Sequence, residues 1–254
     1  MSPLPAFQFL TRLPLPFAPA GIDRIASAIG WAPAVGLVLG AIVLTVDRLA
    51  MQVLPPGAVD VLLVVSLAAL TGALHLDGVA DSADGLLGGR NAEQRLDIMR
   101  DTHSGSFAIV GIVSVLALKW AGFNSLPGEV RVEAILVAPC VARFSMLTAI
   151  AAFPYVRSAG AGAGFHERAM PVALPFGAAT AAAVSIGLLG IGGVYVVTFA
   201  ALLPLALGWC AARMLRGGLT GDVYGAIVEV GEATTLLFIA ALANRGWIDA
   251  LLFG

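Results

Sequence analysis

Five aspartates crowd one polar stretch of an otherwise apolar chain, HLDGVADSADGLLGGRNAEQRLDIMRDTHSGSF at residues 75–107. Asp77, Asp81 and Asp84 follow the spacing i, i+4, i+7. On an α-helix those positions fall within roughly a 60° arc, so the three carboxylates share one face. Like charges stacked this way repel and weaken the helix unless a cation sits among them. Hard divalent ions such as Mg²⁺ take carboxylate oxygens as ligands. Asp77, Asp81 and Asp84, joined by Asp101, are therefore the predicted metal ligands.

Gly88-Gly89 should end that first helix, and Asn91 should cap a second, with Gln94 in the reciprocal position of a capping box. Asp97 and Asp101 are again i, i+4 on the second helix. The expected result is an acidic helical hairpin over residues 75–105, both arms presenting carboxylates. Arg90, Arg95 and Arg100 are interleaved with them, and guanidinium forks match phosphate oxygens. Metal ligands and anion partners in one loop suit phosphoryl transfer. In that chemistry Asp84 and Asp101 or His103 are the catalytic candidates, with Asp101 or His103 accepting the proton of an attacking hydroxyl. His75, at the near end of the stretch, is a candidate substrate or phosphate contact. The small residues Gly78, Ala80, Ser82, Ala83 and Gly85 leave room for a bulky ligand. No tetrahedral His/Cys set is present, so zinc is not expected.

Three further polar features accompany the hairpin. Asp222 follows Gly217, Gly218 and Thr220 and is read as a substrate contact. Glu229 and Glu232 continue the same run into apolar sequence, and Arg143 stands alone inside another apolar run. Charges within a membrane are rare and face a partner or a cavity. Arg143 is thus a counter-ion for one glutamate, fixing helix register, or the three form a transporter's relay. Finally, RSAGAGAGFHERAM at 157–170 reads as a glycine-rich loop able to close over a substrate, with Arg157, His166 and Arg168 as phosphate contacts.

The elements that must position these residues are membrane helices. Hydrophobic residues make up 59% of the 254 and charged residues 12%, where a soluble domain carries about a quarter charged; mean hydropathy is +0.94. A crossing helix needs about 20 mostly apolar residues. Seven are expected, near 29–46, 58–76, 105–123, 132–153, 172–191, 194–213 and 223–243. The fold class is all-α, a polytopic membrane bundle forming one integral domain over 1–254, with no soluble domain before or after it. Seven crossings put Arg12, Arg24, Arg90, Arg95, Arg100, Arg157, Arg168, Arg213 and Arg216 on one side. The other side receives Arg48, Lys119, Arg131 and Arg245. Basic residues favour the cytoplasm, so the hairpin should face it. The opening residues, interrupted by four prolines, do not read as a cleavable signal. A net charge of −2 excludes a nucleic-acid partner held by a basic field. Cys140 and Cys210 lie in apolar runs and read as small buried hydrophobes, outside any disulfide framework.

Four motifs in order carry a resemblance. FLTRLPLP opens the chain; HLDGVADSADGLLGGR with RLDIMRDTHSGSFAIV follows; then come ARFSM with FPYVR, and finally GLTGDVYGAIVEVGEA. Over nearly the whole chain they resemble the cobalamin synthase family, the adenosylcobinamide-GDP ribazoletransferases. The resemblance implies an Mg²⁺-dependent enzyme of the prokaryotic cytoplasmic membrane. It would join adenosylcobinamide-GDP to α-ribazole or its 5′-phosphate, release GMP, and form adenosylcobalamin or its 5′-phosphate. The implied partners are those small molecules and the bilayer; a homo-oligomer is left open. The aspartate pattern is also similar to that of CDP-alcohol phosphotransferases. However, their arginine after the second aspartate pair and their final D-x-x-x-D after a glycine are missing, which favours the cobalamin reading. One departure concerns the D-S-R-I-G type run expected of the first family. Thr102-His103-Ser104-Gly105 stands where its arginine belongs, so His103 takes over a cationic contact or the contact is lost.

Overall fold

The computed structural model describes residues 2–15, 20–157 and 170–248. Among them no strand forms, and eleven α-helices follow one another. Two short ones, α1 (Leu4–Leu10) and α2 (Ile22–Ala28), lead into α3 (Ala32–Ala50), α4 (Pro56–Thr71) and α5 (Leu74–Gly88). The short α6 (Ala92–Ile98) and the long α7 (Ser106–Asn124) and α8 (Arg131–Ala152) come next. The bundle closes with α9 (Met170–Leu189), α10 (Ile191–Met214) and α11 (Gly221–Asn244). Six helices are long and apolar enough to cross a membrane, and the bent pair α4–α5 makes a seventh crossing if it is one span. Val61, Val65, Ile109, Val113 and Leu202 point outward from their helices, as lipid-facing positions do.

The second expected span, 58–76, is not a single rod. Gly72 and Ala73 both adopt left-handed backbone conformations, with φ of +62° and +57°. A left-handed residue at the C-terminal cap stops an α-helix, and the chain turns through 93° between α4 and α5. The backbone N–H of Arg12 donates to the Leu70 carbonyl at 2.7 Å, satisfying one acceptor freed at the break. His75 and the three aspartates after it consequently belong to one new helix.

The most enclosed helix is α8, packed against α3, α9, α10 and α11. Gly36 and Gly40 of α3 permit this: a side chain on either would run into the carbonyls of Pro139 or Ile135 on α8. Small residues four apart let membrane helices approach closely, with packing in place of the hydrophobic effect.

A buried ionic cluster ties α7, α8 and α11 together. Lys119 lies 2.7 Å from Glu229 and also bonds Glu232, which in turn pairs with Arg143. Arg143 is thus the counter-ion expected from sequence. Lys119 corrects another expectation: it sits inside the bundle, 3% exposed, rather than at the far surface. Nearer the opposite end, Arg131 joins Asp47 and Asp60 at 2.8 and 2.7 Å. Cys140 is buried but Cys210 is exposed, contrary to the reading of both as core residues; both are free.

Candidate active site

The site forms where α5 leaves the break and lies along α11. Close approach is possible because Gly78 and Gly225 face each other; a side chain on Gly78 would meet the Asp222 carbonyl. Asp222 stands in the first turn of α11, whose start is capped by Thr220 accepting from the Val223 N–H at 3.4 Å. A short backbone ladder brings Arg157 to the same point: Leu219 donates to Pro154 at 2.8 Å and Val156 to Leu219 at 3.0 Å. The Arg157 guanidinium then lies 2.7 Å from the Asp222 carboxylate and donates to the Met99 carbonyl at 3.3 Å. Asp81 feels the charges of Asp222, Asp77, Arg157 and Asp84. Asp77, Asp222 and Arg157 therefore share this corner, with Asp81 one turn further along α5.

The other predicted ligands are differently employed. Asp84 accepts from the backbone N–H groups of Gly105 at 2.5 Å and Ala108 at 2.9 Å, so it caps the start of α7. Asp101 lies exposed on the loop into α7. It accepts from the His103 backbone N–H at 3.0 Å and lies 2.7 Å from the ring Nδ1. The backbone bond first, and then the ring, hold the Asp101 carboxyl below the usual carboxylate range. Among the described residues no three His, Cys, Asp or Glu side chains are gathered closely enough to hold a metal ion. The donor chemistry nonetheless fits a hard cation at one place. Asp77 and Asp81 are oxygen donors with no cationic partner among the described residues, and Asp222, already paired with Arg157, adds to the negative charge that a cation would relieve.

Asn91 caps α6 as expected, accepting from the Gln94 N–H at 2.9 Å, but the Gln94 side chain accepts from the Arg90 N–H at 2.9 Å rather than from Asn91. Helix α6 ends at Ile98, so Asp101 is not on the second helix. The arginines divide. Arg90 is exposed. Arg95, predicted to grip phosphate, is instead spent on the backbone, donating to the Leu86 and Met214 carbonyls at 3.3 Å each. Its guanidinium satisfies helix-end carbonyls and so locks the two arms together. Arg100 lines a cavity of about 340 Å³ with Arg157 and Arg216. Sequence reasoning passed over Arg216 as a site residue. Its backbone is left-handed, φ +47°, a strain that a non-glycine residue keeps when its surroundings impose it. Of the remaining phosphate candidates, His166 and Arg168 lie outside the described residues.

A second cavity, of about 210 Å³, opens beside the aspartates and shares Arg157 with the first. Asp77 and Asp222 line it together with Tyr155, Tyr224 and, deeper, His75. His75 is 3% exposed, and neither of its ring nitrogens has a hydrogen-bond partner. Each such group left unsatisfied in a protein interior costs about 1–3 kcal/mol.

The elements that meet here come from separate stretches of sequence: HLDG on α5, FPYVR after α8 and GLTGD at the start of α11. The family model described as cobalamin-5-phosphate synthase matches residues 2–240. The chain belongs to that family. Relatives of this cobalamin synthase family member carry the name adenosylcobinamide-GDP ribazoletransferase. One from Roseiflexus is 35% identical over 241 residues, covering 91% of this chain and 86% of its own. One from Pseudomonas paraeruginosa is 37% identical, with 93% and 96% covered. One from Synechococcus elongatus is 39% identical, with 90% and 91% covered. No solved structure matches the chain.

Proposed function

We propose that this chain is an adenosylcobinamide-GDP ribazoletransferase. It moves the phosphocobinamide group of adenosylcobinamide-GDP onto a ribose hydroxyl of α-ribazole or its 5′-phosphate, releasing GMP, at the cytoplasmic face of a prokaryotic inner membrane. The observation that carries this reading is the convergence of Asp77, Asp222 and Arg157, drawn from three separate motifs, around one cavity, with Asp81 one turn further along α5. Acids beside a guanidinium are what a pyrophosphate substrate with its cation requires.

Mg²⁺ is the proposed cofactor, held first by Asp77 and Asp81, and when bound it neutralises charge on the diphosphate. Arg100, Arg157 and Arg216 grip phosphate oxygens from the adjoining cavity and keep the leaving group in line with the attacking hydroxyl. Asp84 keeps α5 and the start of α7 together. Asp101 and His103 act as a dyad. A carboxyl held low is a weak base, so Asp101 orients the imidazole through Nδ1, leaving Nε2 to take the hydroxyl proton.

The decisive experiment is reconstitution in lipid with adenosylcobinamide-GDP, α-ribazole and Mg²⁺. GMP should appear in step with the cobalamin product. Movement of intact substrate across the bilayer with no GMP would instead make the buried Arg143, Glu229 and Glu232 a transport relay and end this reading.

A further inference from the structure

We propose that the 210 Å³ cavity binds the flat azole base of the acceptor, with His75 donating a hydrogen bond to its free ring nitrogen. The proposal rests on the ribazoletransferase reading above and assigns one of its two substrates to a place.

Size excludes the larger substrate. Pockets for drug-sized ligands run about 300–1,000 Å³, so 210 Å³ takes one ring system and not a corrinoid nucleotide. The lining is of two kinds. Leu74, Met146, Ile150 and the rings of Tyr155 and Tyr224 supply an apolar wall. The two tyrosine rings lie with centroids 6.3 Å apart and planes inclined by 28°, an aromatic surface against which a flat heterocycle can pack. The polar residues Asp77, Asp222 and Arg157 stand nearer the surface. A base pushed inward would leave its ribose among the groups assigned to the chemistry.

His75 makes the occupant specific. It is the deep polar side chain of the cavity, and both its nitrogens lack partners. A neutral imidazole carries one N–H donor. An azole with ribose on one nitrogen presents the lone pair of the other, which accepts that N–H. A wholly apolar occupant would leave the histidine as unsatisfied as it is now.

The test uses the full-length protein in lipid, with two acceptors and two proteins. The acceptors are α-ribazole and the matching α-riboside of indole, in which carbon replaces the free nitrogen. In the native protein the indole compound should show a KM about tenfold or more above that of α-ribazole. In His75→Leu the two acceptors should become equal within about twofold, while the KM for adenosylcobinamide-GDP stays unchanged. Binding of α-ribazole alone, by calorimetry without donor, should weaken in parallel. His75→Gln, which keeps an N–H donor, should recover part of the discrimination. Equal use of the two acceptors by the native protein would overturn the proposal even if His75→Leu fails to fold. So would a His75→Leu protein that still discriminates between them, or one whose donor KM rises as much as its acceptor KM. Absence of GMP from the native protein with α-ribazole is a separate result, and it would defeat the ribazoletransferase reading itself.

Discussion

Two groups of charged side chains lie along α11, and they are built on opposite terms. Deep in the bundle, Lys119 and Arg143 face Glu229 and Glu232, two cations against two anions, all nearly inaccessible. One end of the same helix brings Asp222 near Asp77 and Asp81 with a single guanidinium, from Arg157. The first group is complete in itself. A buried pair in balance holds helices in register, and its worth shows when one partner is removed. The second has surplus negative charge beside an accessible cavity. Similar residue types thus form a balanced cluster in one place and an unbalanced one in the other, and it is the unbalanced one to which the proposed chemistry is assigned.

The sharpest way to break this contrast is Glu232→Gln. It should leave Arg143 without a carboxylate and Lys119 with Glu229 alone, and cost about 3–5 kcal/mol, measured by denaturant unfolding in detergent. A stable Gln variant that loses turnover would move the deep cluster to the functional side. Next in size is Asp81→Asn, expected to lower GMP release about 10²–10³-fold, as loss of a transition-state contact does. Its unfolding midpoint should not fall, because the change relieves repulsion. The same surplus predicts that Mg²⁺ stabilises the native protein against unfolding, by about 2.7 kcal/mol at a hundredfold excess over its Kd. The Asp77→Asn, Asp81→Asn double variant should show no such gain in the same melting assay.

Asp84→Ala should reveal a cap, with about 1 kcal/mol lost from stability and the Mg²⁺ dependence of activity preserved. A steep change in that dependence would return Asp84 to the metal site. The smallest effect concerns Asp101, held low by its bonds from His103. Those bonds support the fold above the unfolded carboxylate pKa and are lost as pH falls through the depressed folded one. In His103→Ala, carboxyl-carbon NMR should find the titration shifted part of the way back up, because the backbone donor remains.

Much of the hairpin is legible in the residues themselves. The 3.6-residue period puts Asp77, Asp81 and Asp84 on one helix, and the Asn91–Gln94 cap places the hairpin turn, because both depend on neighbours in sequence. Apolar runs locate the crossings for the same reason. The break at Gly72 and Ala73 is not legible: glycine permits a left-handed turn without requiring it, and alanine gives no sign of one. Nor are the uses of Arg95 and Arg216. One guanidinium ends on distant carbonyls and the other at a cavity, and a side chain's type does not name its partner.

What the sequence determined by itself was therefore local and compositional: a lipid-embedded helical bundle, and a stretch of carboxylates too dense to be left alone. Tertiary structure decided which of those charges meet. Glycine contacts between α5 and α11, and the backbone ladder between Pro154 and Leu219, carry Asp222 and Arg157 to the aspartates across long separations. Long-range pairing arises from the packing of whole helices, which no short run of residues encodes.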